Sequence, residues 1–164
     1  MAVLTSSHAR SRLAYDPATG VFTHVETRGR AKAGERADFS NGKKYRQVAI
    51  DRVCYSAHRM AWLLTHGVWP NGQIDHINGD IFDNRLANLR DANASQNTFN
   101  RRVLRRPAEL RGVQPVGNRW SARIGKDNKY IHIGYYDTPE EAREAYVAAA
   151  TRMFREFVPA EMGA

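Results

Sequence analysis

The sequence runs to 164 residues, with 25 Lys and Arg against 17 Asp and Glu, a formal net charge of +8 and a pI near 10.0. An apolar fraction of 42% that includes three Trp, seven Tyr and six Phe excludes wholesale disorder, and the length allows one ordinary domain or two small ones with modest cores. The charge excess points to a polyanionic partner, nucleic acid ahead of a membrane surface. The single cysteine, Cys54, excludes a disulfide framework and any Cys-based zinc knuckle. Its setting, Val53-Cys54-Tyr55, predicts an inert core thiol in a reducing compartment. No leader-like apolar run opens the chain and no stretch approaches a membrane span, so the expectation is an intracellular, soluble protein.

Taken in chain order, Tyr15-Asp-Pro-Ala-Thr-Gly20 predicts a tight turn, because Pro presets φ and Gly20 is free to take φ > 0. A short strand, Val21–Val25, follows. Residues 26–44 are polar, basic and Gly-rich, and predict a loop or long hairpin tip. Tyr45–Ile50 and Val53–Ser56, split by Asp51-Arg52, predict a hairpin. Ala57, Met60, Ala61 and Leu64 then fall on one stripe of a helix over 57–66, which Gly67 stops.

Residues 71–100 crowd Asn, Asp and Gly into a stretch with little apolar mass. Its few apolar residues are regularly placed: Ile74 and Ile77, then Leu86 and Leu89, then a helix from about Ala94. That order predicts strand, loop, strand and helix around polar groups. Beyond it the basic run Arg101-Arg102-Val-Leu-Arg105-Arg106 ends at Pro107. Trp120, Ala122 and Ile124 alternate with Ser121, Arg123 and Gly125, and Ile131 and Ile133 are expected to point inward on the next strand. Thr138-Pro139-Glu140-Glu141 is a helix start with an N-cap, Pro at N1 and Glu at N3. This helix is expected to run to about Phe154, its apolar face carrying Ala142, Ala145, Tyr146, Ala149 and Met153.

The chemistry concentrates at Asp75-His76, Asn88 and Asn97. With Ile74–Ile77 a strand and a helix over 94–102 packed across it, Asp75 and Asn97 offer two oxygen ligands to one hard divalent cation. His76, on the opposite face of that strand from Asp75, could take a proton from an attacking water, and Asn88 could fix the loop and the imidazole. An Asp-His pair is equally an ordinary turn, and Asn a common N-cap; on the residues alone both readings stand. His58 and His66, eight residues apart on one helix, lie about 12 Å apart along its axis, too far to share a metal, and His58 is read as a packing or hydrogen-bonding residue behind the site.

Gln73-Ile-Asp75-His76-Ile-Asn-Gly79-Asp80, followed by Asp83-Asn-Arg-Leu-Ala-Asn88-Leu-Arg90 and Ala94-Ser-Gln-Asn97, resembles the HNH nuclease motif of the ββα-metal fold. The resemblance spans residues 13 to about 102 and is nearest to phage and intron homing endonucleases, whose upstream helix is similar to Ser56-Ala-His58-Arg59-Met-Ala-Trp62. It implies His76 as general base, Asn88 as orienting residue, Asp75 and Asn97 as metal ligands, and one Mg2+ or Mn2+ ion. Asn97 stands where the family name implies a third His. The Cys pairs of the zinc-holding branch are absent from the sequence, so no structural zinc is expected. Arg111-Gly-Val113, Trp120-Ser-Ala-Arg123, His132-Ile-Gly134 and the helix from Thr138 resemble an AP2 domain, which implies a three-stranded sheet in the DNA major groove.

The expected fold class is α+β. An HNH nuclease domain occupies 1–102 (core 72–102), a basic linker 103–110, and a three-stranded antiparallel sheet with one helix 111–157. The expected DNA contacts are Arg101, Arg102, Arg105 and Arg106 to the backbone, with Arg111, Gln114, Arg119, Arg123, Lys129, Tyr130 and His132 on or beside the open sheet face. By resemblance the chain is a DNA endonuclease acting on duplex DNA in a bacterial cytoplasm, phage- or mobile-element-encoded, and a nickase as a monomer, with a dimer left open. The alternative is a DNA-binding regulator that keeps the scaffold without the chemistry.

Overall fold

The computed structural model of the chain describes residues 3–40, 42, 44–105, 111–127 and 129–158, with the backbone alone for 101–105. It divides into two compact units, Met1–Asp91 and Ala92–Ala164. The secondary structure is mixed, with small antiparallel sheets.

The first unit opens with a helix, α1 (Ser6–Arg12), that hydropathy patterning does not announce; its one local signal is Thr5, whose side chain caps the His8 N–H. Strands β1 (Leu13–Tyr15) and β2 (Phe22–His24) pair antiparallel around the predicted turn. There Asp16 accepts from the Ala18 N–H and the Thr19 hydroxyl, and Gly20 takes φ +75°. Strands β3 (Gln47–Ile50) and β4 (Val53–Ser56) form the predicted hairpin, with Asp51 and Arg52 both at positive φ in its two-residue turn. Helix α2 (Ala57–His66) matches its expected bounds and ends on Gly67 in the left-handed region. Its buried Ala57, Met60, Ala61, Leu63 and Leu64 pack with Leu13, Phe22, Val48, Ile50 and Ile74 into one core. Strand β5 (Gln73–His76) pairs with β6 (Leu89–Ala92), the polar loop between them closing through a short 3-10 turn at Leu86–Asn88.

Cys54 is exposed, contrary to the core thiol expected of it. The β3–β4 ribbon is covered on one face only: Val48 and Ile50 point into the core, while Ala49 and its cross-strand partner Cys54 share the solvent face. A one-residue change of register decides burial on such a ribbon.

The second unit begins with β6's last residue and α3 (Ala94–Arg105). Asn93 and Gln96 close a reciprocal capping box at the start of α3 (2.8 and 2.9 Å). The helix continues three residues into the stretch expected to be linker; the remainder of that stretch lies outside the described residues. The division between units also falls before α3 rather than after it. The physical reason is apolar: Phe99 stacks on Phe154 at 4.1 Å and joins Ala122, Ile124, Ala142, Tyr146 and Phe157 in a separate core. Strands β7 (Val113–Val116), β8 (Arg119–Lys126) and β9 (Lys129–Tyr136) form the three-stranded antiparallel sheet, backed by α4 (Pro139–Phe154). Thr138 caps the Glu141 N–H as expected, but the Glu141 carboxylate reaches back to the Asp137 N–H, one residue before the N-cap.

Alternation holds on β8 and breaks on β9. Ala122 and Ile124 are buried and Arg123 is exposed, as predicted. Ile131, expected inward, is 39% exposed, while Ile133 is half-buried. The register slips between Ala122–Gly134 and Arg123–His132, so Ile133 is an extra residue on β9. Ile133 packs against the second core, whereas Ile131, although paired with the buried Ile124, does not join it.

Candidate functional site

Asp75 and His76 are consecutive on β5 and both are buried, at 4% and 5% exposure. Strict alternation would send one of them to solvent; in this two-stranded sheet neither is released, His76 lying against His58 of α2 and Tyr45, and Asp75 against Arg90 of the neighbouring strand. The Asp75 carboxylate accepts from Arg90 of the neighbouring strand, from Nε and a terminal nitrogen, each at 3.0 Å. The His76 Nε2 lies 3.2 Å from Oδ1 of Asn84, which is itself buried. Burial pulls the His76 pKa below the ordinary histidine value, against the opposing pull of the Asn84 bond and of Asp75. A neutral imidazole follows at neutral pH.

Two rings surround it. His58 of α2 sits edge-on to His76 with ring centroids 5.4 Å apart, and Tyr45 stacks near-parallel to His76 at 6.2 Å. Tyr45 also lies 4.7 Å from His58. Burial, then the proximity of His76, drives the His58 pKa down to about 3, and its Nδ1 is buried with no hydrogen-bond partner. His58 thus stands beside His76 as expected.

Asn88 closes the loop. Its Oδ1 accepts from the Asn78 N–H and its Nδ2 donates to the Asp83 carbonyl, both at 2.9 Å, while its own carbonyl accepts from Ile77. The amide on the imidazole is Asn84, whose one signal in the sequence is its position beside Asp83 in a loop with few apolar residues. Arg90 and Tyr45 are no more legible there, since only strand pairing and tertiary packing bring them to Asp75 and His76. Asn97 lies on α3 in the second unit, half-buried. Asp75 and Asn97 offer oxygen, the chemistry that suits a hard divalent cation rather than a soft one. Among the described residues there is no group of three or more His, Cys, Asp and Glu side chains poised to hold a metal.

The second polar surface is the sheet face that α4 does not cover. Pairing places Gln114, Ser121 and Tyr135 in one row, and Arg123 opposite His132 in the next. Arg123 packs over the Tyr130 ring at 5.0 Å, and His132 lies 4.6 Å from the Tyr135 ring and 3.4 Å from the Ser121 hydroxyl. Tyr130 and Tyr135 are 65% and 52% exposed. Arg119 is tied to the Tyr135 carbonyl and to Asp137, Lys129 is exposed at the β8–β9 turn, and Arg111 is half-buried before β7. Arg101, Arg102 and Arg105 lie on α3 with their side chains undescribed, and Arg106 lies outside the described residues.

Residues 55–99 match the family model described as HNH endonuclease, a span that holds Asp75, His76, Asn84, Asn88 and Asn97. A protein of Acanthamoeba polyphaga mimivirus, described as an uncharacterized HNH endonuclease, is 29% identical over 119 residues, covering 71% of this chain. The chain spans 62% of that relative's length. No solved structure matches the chain. The similarity to HNH endonucleases is thus carried by residues 55–99 of this chain. Among the described residues, no helix is long and apolar enough to cross a membrane.

Proposed function

We propose that the chain is a metal-dependent endonuclease of homing type that hydrolyses a phosphodiester in duplex DNA. The observation that carries this reading is the buried, neutral His76 beside the buried Asp75 carboxylate within the span matched by the HNH family. His76 is the general base that takes the proton of the attacking water; burial keeps it unprotonated at neutral pH, when a base is needed. Asp75 is a donor to the cation, and Asn97 enters as the second donor from the motif order. When bound, that cation (Mg2+ or Mn2+) supplies Lewis-acid polarisation of the scissile phosphate and charge stabilisation at the leaving oxygen. Asn88 holds the loop behind His76.

The β7–β9 sheet, with its Arg123, Tyr130 and His132 face, is read as an AP2-like module that holds duplex DNA, with Gln114, Arg119, Arg111 and Lys129 around it and the arginines of 101–106 on the phosphate backbone. With one catalytic histidine, a monomer nicks one strand per binding event. Plasmid carrying DNA that flanks the gene, incubated with Mg2+, should be nicked by the wild type and left intact by His76→Ala or with EDTA.

One observation favours a second reading. The Arg90 guanidinium sits on the Asp75 carboxylate, as it would in a DNA-binding regulator that keeps the scaffold without the chemistry. A protein that shifts the same DNA in a gel, yet never cuts it with Mg2+ or Mn2+, establishes that reading instead.

A further inference from the structure

The loop that brings Asn84 to His76 is held from behind by the β1–β2 hairpin at three successive residues. The Tyr15 hydroxyl donates to the Asn84 carbonyl at 2.8 Å. The Leu86 N–H donates to the Pro17 carbonyl at 3.0 Å. Between them Gly20, at φ +75°, lies so close to the loop that a Cβ there would stand 2.6 Å from both the Asn84 carbonyl carbon and the Arg85 nitrogen. Tyr15 is itself fixed, its ring 4.8 Å from Phe22 and its hydroxyl pKa pushed up to about 12, chiefly by burial. From the other side, Asn88 and Arg85 hold Asp83 through its carbonyl and its carboxylate. Asn84 is therefore pinned as a backbone before its side chain does anything.

The side chain then meets His76 with an atom of one chemical kind. An amide oxygen only accepts, so the ring nitrogen it faces must carry the hydrogen. In a neutral imidazole the other nitrogen holds the lone pair. We propose that Asn84, clamped by the β1–β2 hairpin through Tyr15 and Gly20, sets the tautomer of His76 with the proton on Nε2, making Nδ1 the nitrogen that accepts a proton, and that the hairpin is thereby a positioning element for the base. The catalytic consequence rests on the reading of His76 as general base; the tautomer does not. Neither Tyr15 nor Asn84 touches the reacting atoms. They act through the ring, much as a carboxylate or carbonyl fixes the ring of a metal-bound histidine.

The test measures the ring and the reaction separately. The ring 15N shifts of His76 are recorded on the metal-free full chain at pH 8.5, and nicking of supercoiled plasmid with Mg2+ is followed in parallel. The wild type is expected to show protonated Nε2 and unprotonated Nδ1. Asn84→Leu removes the acceptor; it should mix in the Nδ1–H tautomer and lower kcat by about 10- to 100-fold with KM for DNA unchanged. Asn84→Asp restores an acceptor and should restore the wild-type tautomer. Tyr15→Phe keeps the ring packing and frees the Asn84 carbonyl, so it gives an answer even if Asn84→Leu does not fold. It should admit some Nδ1–H form and lower kcat by about threefold to tenfold.

A wild-type ring protonated on Nδ1, or a tautomer that none of these variants moves, overturns the proposal. A ring that behaves as expected in a protein that cuts no DNA overturns the nuclease reading and leaves the control by Asn84 standing.

Discussion

The two polar surfaces of this chain are built on opposite terms. In the first unit Asp75, His76, Asn84 and Asn88 are all buried, and each has a partner among its neighbours. In the second, Arg123, Tyr130, His132 and Tyr135 lie in the open on a sheet face. Burial makes a polar group expensive to disturb, because a lost partner leaves the other group without compensation. An exposed group exchanges its partner for water at little cost. The first surface should therefore respond to substitution by losing chemistry or stability, and the second by losing affinity in proportion to salt.

The sharpest break in this comparison comes from His76→Ala. We expect nicking to fall by about 10²- to 10⁴-fold, with gel-shift affinity for DNA retained, in a single-turnover plasmid assay. Equal loss of binding and cutting would place His76 on the recognition surface instead.

Gly20→Ala comes next. The new Cβ meets backbone that cannot rotate away, at a φ that L side chains rarely adopt. About 2 kcal/mol or more of destabilisation is expected, read as a lower urea midpoint with an unchanged slope. Alanine at Gly34, also at positive φ but with open space where its Cβ would go, should cost less.

Acid supplies the third. His58 is held neutral in the folded state down to about pH 3, whereas the unfolded chain takes up the proton near pH 6.5. The unfolded state therefore binds more protons as pH falls below 6.5, and stability falls with it. At pH 5 the loss from this residue should approach about 2 kcal/mol, and His58→Phe should flatten the urea midpoint between pH 7 and pH 5.

The smallest effect is expected on the open surface. Arg123→Ala should weaken duplex binding several-fold and reduce the log–log salt slope by about one, while leaving the rate of cutting at saturating protein unchanged. A change in that rate with no change in slope would remove the sheet face from the DNA contact.

Much of the scaffold was legible in one dimension because it is set by local chemistry. Asp16 and Gly20 specify their turn, Gly67 stops α2, and Thr138 with Pro139 starts α4; each acts over a few bonds. The motif order also placed Asp75, His76 and Asn88 in one short stretch. Burial was less legible. Cys54 and Ile131 sit in apolar settings, yet both are exposed, Cys54 on the open face of a ribbon covered on one side and Ile131 beside the buried Ile124. The partners of the site were not legible at all: Asn84 meets His76 only when the loop has closed, and Arg90 meets Asp75 only when β5 and β6 have paired.

The sequence by itself determined the charge balance and most of the strand and helix order, because periodicity, caps and turn residues are properties of neighbours along the chain. Only the tertiary structure decided that α3 packs its Phe99 into the second core, and which amide faces the His76 ring. Those outcomes depend on which surfaces meet across long loops. The free energy that selects them belongs to contacts between residues that no local pattern brings together.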